Sequence, residues 1–160
     1  MSDVKKIVEF YNMEAHPEGG WYKETYRSKE VTPISNLGDR NLMTSIYFLL
    51  ESHQTSNFHR IKSDELWFYH SGSALTVHCL FPNGDYKTLH IGPDFEKGQT
   101  FQALVPKGTI FGSTVDIENT HSMVGCTVSP GFDFNDFKLF EKEELLETFP
   151  QHQSIIEKLT

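Results

Sequence analysis

The residues best suited to chemistry fall in one stretch, His59 to Gly72. From Glu65 to His70 the sequence alternates with a strand's two-residue period. Glu65, Trp67 and Tyr69 therefore share one face, and Leu66, Phe68 and His70 take the other. A carboxylate, an indole and a phenol side by side suit the wall of a ligand cavity better than a plain core. His59 lies upstream, across an expected bend at Ser63-Asp64, and can return to the same cavity. A histidine titrates near neutrality and can take a proton from a carbon next to a carbonyl. A carboxylate beside it would orient the ring and raise its basicity. The sharpest reading makes His59 the base and Glu65 its orienting partner, with Tyr47 or Tyr69 returning the proton from the opposite wall. Two plainer readings stand beside it. His59 and Glu65 can be hydrogen-bonding walls of a pocket that binds without turnover, or His59 can be an inert core histidine.

Other side chains are candidates for ligand contact. Trp67 belongs to the same face as Glu65. Arg27 presents a planar fork that suits an anion, or a surface carboxylate, and Glu24 faces the same choice. Gln99 and Gln102 can line the mouth of a barrel. His78 lies on a strand-like run and His121 near the start of another, where a satisfied core or surface histidine is the commoner outcome. In His16-Pro17-Glu18-Gly19-Gly20 the glycines permit positive φ and close backbone approach to a ligand, or simply redirect the chain. Pro130-Gly131-Phe132-Asp133-Phe134 reads as a structural turn that packs two aromatics.

These residues are held by an all-β framework with a helix at each end. Val4, Ile7, Val8 and Tyr11 fall at helical spacing, and Ser2 or Asp3 can cap the helix, which is expected over about 3–13. Strand-like runs follow at Trp21–Arg27, Met43–Leu50, Glu65–His70, Leu75–Phe81, Tyr86–Ile91, Thr100–Val105, Ile110–Val115 and Ser122–Val128. Asn83-Gly84 between two of them is a hairpin signal. About eight strands with no helices between them predict a sandwich or barrel over about 20–140. Leu145, Leu146 and Phe149, then Ile155, Ile156 and Leu159, predict a helical segment over about 141–159 that Pro150 interrupts. No repeat or linker divides the 160 residues, so one domain is expected.

Composition excludes some partners. With 14 Lys+Arg against 22 Asp+Glu, the net charge is -8, and no basic cluster is present to grip nucleic acid or an anionic membrane. No apolar run approaches a membrane span, and Met1 to Phe10 lacks the apolar core of a signal peptide. Cys79 and Cys126 read as buried free thiols, which suits a cytoplasmic location. Aromatic-rich strands on a barrel leave an apolar face that a second copy can cover, so a homodimer is expected.

His59, Glu65 and Gly72 match the first cupin motif, G-x5-H-x-H-x(3,4)-E-x6-G, with Ile61 at the position of its second histidine. Pro106-Lys107-Gly108 matches the start of the second motif, P-x-G-x2-H-x3-N, with Phe111 at the histidine position and Val115 at the asparagine. The blocks His16–Tyr22, Glu24–Arg27, Ser45–Leu50, His59–Trp67 and Gly125–Phe134 together resemble cupin family 5, a domain of unknown function in the RmlC-like cupin superfamily. That resemblance implies a cupin jelly-roll barrel, usually dimeric, with kinship to deoxysugar-nucleotide epimerases. It also implies an incomplete metal set. A tight transition-metal site needs three or four protein ligands. The motif positions supply only His59 and Glu65, so no cofactor is expected, and a divalent metal, if bound, would use those two. Phe111 then becomes a pocket-wall candidate. The expected function is binding of a small molecule, with metal-independent isomerase or epimerase chemistry on a sugar-like or carbonyl compound. A non-catalytic metabolite-binding module and a metal-dependent cupin enzyme are the alternatives.

Overall fold

The computed structural model describes residues 3–160. Helix α1 (Asp3–Tyr11) is shorter than the spacing predicts, because Asn12 turns to positive φ. Of its two candidate caps, Ser2 lies outside the described residues. The strands follow as β1 (Glu14–Ala15), β2 (Trp21–Arg27), β3 (Val31–Ile34), β4 (Gly38–Asn41), β5 (Thr44–Glu51), β6 (Ser56–Arg60), β7 (Asp64–Gly72), β8 (Leu75–Leu80), β9 (Tyr86–Ile91), β10 (Gln102–Val105), β11 (Ile110–Val115), β12 (His121–Ser129) and β13 (Lys138–Leu139). Helices α2 (Lys142–Thr148) and α3 (Gln153–Lys158) close the described chain, separated by a short 3-10 turn that Pro150 opens. Among the described residues, no helix is long and apolar enough to cross a membrane.

Two antiparallel sheets face each other in the jelly-roll arrangement. One has the order β1-β2-β5-β12-β7-β10 and the other β13-β6-β11-β8-β9, while β3 and β4 form a separate hairpin. The eight strand-like runs all became strands. Pairing added the rest: β1, β3, β4, β6 and β13 are short and carry no clear alternation of their own. The expected Asn83-Gly84 hairpin joins β8 to β9, with Gly84 at φ 91°.

Between the sheets lies one core, where Phe48, Trp67, Val124 and Cys126 of the first sheet meet Val77, Cys79, Ile91 and Phe111 of the second. Each fully buried large apolar side chain contributes about 1.5–3 kcal/mol. A second core forms on the outer face of the five-stranded sheet. There Leu145, Phe149, Ile156 and Leu159 cover Phe58, Leu80 and Ile110, which is why the C-terminal segment is helical and amphipathic. Both cysteines are free and buried.

Candidate functional site

The first sheet does not close tightly on the second at one end. A cavity of about 300 Å³ remains, walled by β2, β5, β7 and β12 on one side and by β6 on the other. Two loops complete its wall, residues 16–20 before β2 and residues 130–137 after β12.

The loop at 16–20 determines the chemistry. Gly19 and Gly20 take φ of 110° and 77°, and a Cβ on Gly19 would lie 2.0 Å from the Thr55 carbonyl oxygen. Only glycine allows that approach. The approach lets the Asn57 N–H donate to the Glu18 carbonyl at 2.7 Å, which lays the loop along the start of β6. The Glu18 side chain is thereby driven inside, 6% exposed. There Ser56 Oγ donates to its Oε1 at 2.8 Å, and its Oε2 lies 2.9 Å from His59 Nε2.

His59 is 3% exposed, and both its ring nitrogens are engaged. Nδ1 lies 2.7 Å from the Asn57 carbonyl, which can only accept, so Nδ1 carries a hydrogen. Nε2 and the Glu18 carboxyl then share one proton. Burial disfavours the imidazolium, but the charge and hydrogen bond of Glu18 outweigh it and raise His59 above the usual histidine range. Burial works against the Glu18 carboxylate too, but His59 and then His16 pull it below its usual value. Both shifts favour the imidazolium–carboxylate form of the pair. His16 differs: its Nδ1 accepts the Glu18 N–H at 3.2 Å, and burial lowers its pKa.

Glu65 stands outside this pair. It is 8% exposed in the cavity wall. Burial first, and the Glu18 charge second, push its carboxyl up to about 7, against the opposing pull of His59 and a hydrogen bond with Cys126. Glu65 was expected to orient His59. Glu18 does so instead, because the glycine loop brings it within hydrogen-bond reach of Nε2.

Trp67, Glu24 and Arg27 lie in the cavity wall as the sequence suggests. Arg27 grips Glu24 through two bonds, Nε to Oε1 at 2.9 Å and Nη2 to Oε2 at 2.8 Å. Its Nη1 donates to Asn41 Oδ1 and to the Phe132 carbonyl.

Five other candidates lie elsewhere. On β5, Ile46 and Phe48 face the cavity. Tyr47 therefore faces outward, where it packs on Tyr11 and His70. Tyr69 is too far along β7, and its hydroxyl donates to the Gly72 carbonyl at 2.8 Å. Gln102 is exposed on the edge strand β10. Phe111 is core, packed behind His59 with ring centroids 4.2 Å apart. His78 points out of the barrel, bonded to Tyr86 Oη at 2.6 Å and Thr114 Oγ1 at 2.9 Å, and burial lowers it to about 4.

Sequence reasoning missed Glu18, His16, Glu14 and Cys126, and assigned Phe132 and Phe134 a structural role only; all six line the cavity. The one available signal for Glu18 was an acid set between a proline and a glycine pair.

The cupin metal positions can be tested against this geometry. Ile61 and Phe111 offer hydrocarbon, and both nitrogens of His59 are already engaged, by Asn57 and by Glu18. Among the described residues, no group of three or more His, Cys, Asp and Glu side chains is placed to hold an ion. The donor set does not fit a resident metal.

Comparison with known proteins agrees with this architecture. The Cupin_5 family model, described as "Cupin superfamily (DUF985)", matches residues 5–140. The uncharacterized protein YML079W of Saccharomyces cerevisiae is 29% identical over 160 residues, 91% of this chain and 79% of its own. The crystal structure of protein SO0799 from Shewanella oneidensis superposes with a TM-score of 0.92 at 43% identity, covering 100% of this chain and 98% of that one. A hypothetical protein from Leishmania major gives 0.93 at 34% identity, covering 99% of each chain. Oxalate decarboxylase from Bacillus subtilis shares the fold alone, with a TM-score of 0.59 at 17% identity over 91% of this chain and 37% of the enzyme.

Proposed function

From the premise that this chain belongs to the DUF985 family of the cupin superfamily, we propose that it is a small-molecule-binding cupin performing metal-independent proton transfer, of the isomerase or epimerase kind, on a sugar-like or carbonyl compound. The observation that supports this is the contrast between two buried carboxyls in one cavity wall. Glu18 is held below the usual carboxylate range by His59, and Glu65 is raised to about 7. Carboxyls whose environments push them apart divide the roles of base and acid between them. Glu18 takes the proton and Glu65, which keeps its own proton until about pH 7, gives one. His59 is a positioning residue that keeps Glu18 ionised; its own nitrogens are committed to Glu18 and Asn57.

Aldoses, ketoses and other carbonyl compounds incubated with the protein in heavy water provide the test, read by NMR. Deuterium should enter at the carbon next to the carbonyl. Glu18→Gln and Glu65→Gln should each abolish exchange while binding persists by calorimetry. The complete engagement of His59 also favours a second reading, a non-catalytic metabolite-binding module. A compound that occupies the cavity and never exchanges would select that reading.

A further inference from the structure

We infer that the cavity is built for an uncharged ligand and rejects anions such as phosphate esters and nucleotide sugars. This rests on the preceding reading only in taking the cavity as the ligand site.

Charge is the first ground. Among the described residues, the wall carries the carboxyls of Glu14, Glu18, Glu24 and Glu65 but only one guanidinium, Arg27. Arg27 has five N–H donors. Two are given to Glu24, one to Asn41 and one to the Phe132 carbonyl. His59 is likewise neutralised by Glu18 at 2.9 Å. An entering phosphate would find no unpaired cation and would meet the buried Glu18 carboxylate.

The apolar share of the wall is the second ground. Trp67 lies in that wall with only 1% of its surface exposed. Phe48, Phe132 and Phe137 supply further apolar faces.

Ligand-observed NMR and tryptophan fluorescence can test this with probes matched in shape and differing in charge. The set comprises neutral aldoses, ketoses and polyols, their phosphate esters, their amino counterparts and one nucleotide sugar. Trp21→Phe leaves Trp67 as the sole fluorescent indole, since the chain has 2 tryptophans. Neutral members should bind and change Trp67 emission, and their phosphate esters should bind about 100-fold more weakly. Tighter binding by the phosphate, nucleotide or amino members would overturn the inference, as would no neutral binding at millimolar concentration. Because binding is read without turnover, the outcomes separate. Neutral binding without exchange removes the proton-transfer reading alone, and anion binding with exchange removes this inference alone.

Discussion

Replacing Glu65 by Gln should make the protein more stable, and only above acidic pH. In the folded chain the Glu65 carboxyl titrates at about 7, against an ordinary value of 4.5. Between those values the unfolded chain has released this proton and the folded chain still holds it. Stability therefore falls as pH rises through the window. Glu65 confers its full stability below pH 4.5, and that contribution is lost by the time pH passes about 7. At 1.36 kcal/mol per pKa unit, the loss is about 3 kcal/mol. Gln has nearly the shape of the protonated acid and cannot ionise. Groups far from the cavity titrate alike in both proteins and cancel in the comparison. Urea or thermal denaturation of both proteins across pH 4–8 should give coincident curves at the acid end. Toward pH 8 the substituted protein should gain about 6–12 °C in Tm for a chain of this size. Such a gain with loss of exchange would mark a site that gives up stability for function. A gap that does not change with pH, or a Glu65→Gln protein less stable at pH 8, would refute the reasoning.

Glu18→Ala removes the acceptor for both Ser56 and His59. His59 can then release its proton, so the loss is set by unmade buried hydrogen bonds, about 2–4 kcal/mol in urea titration, while Glu18→Gln should cost about 1 kcal/mol. The intact pair also has a pH signature. His59 is raised, so its contribution is present below 6.5 and fades as pH climbs through its folded value; Glu18 is lowered, so its contribution is present above 4.5 and fades as pH falls through its own. Glu18→Gln should lose both edges, so they should appear in the difference between wild type and Glu18→Gln. Gly19→Ala should cost at least about 1 kcal/mol, because positive φ is strained for alanine and the Thr55 carbonyl stands in the way of its Cβ. Hydrogen exchange should show the Asn57 amide, which donates to Glu18, losing protection first.

The barrel was legible because its long strands carry their own patterns. Trp21–Arg27, Tyr86–Ile91 and Ile110–Val115 run between the same residues in sequence and structure. Ser56–Arg60 did not read as a strand, since only pairing with β11 and β13 makes it one, and its burial breaks alternation at Phe58-His59. The face shared by Glu65 and Trp67 followed from parity along one strand. Parity failed for Tyr69, which shares the face but lies beyond the cavity, and Tyr47 needed the register of β5 before its direction could be known.

By itself, the sequence determined a β barrel with terminal helices, a cavity wall containing His59, Glu65 and Trp67, and a metal motif lacking two of its ligands. These rest on local periodicity and fixed spacing, which a chain carries before it folds. Tertiary structure alone decided which carboxylate serves His59. Glu18 is 41 residues away in the chain, and only the close passage of Gly19 over the Thr55 carbonyl brings the two within 2.9 Å. That contact, together with burial, separates the two carboxyls in acidity. Desolvation and charge proximity are properties of the packed interior, and no spacing in the sequence encodes them.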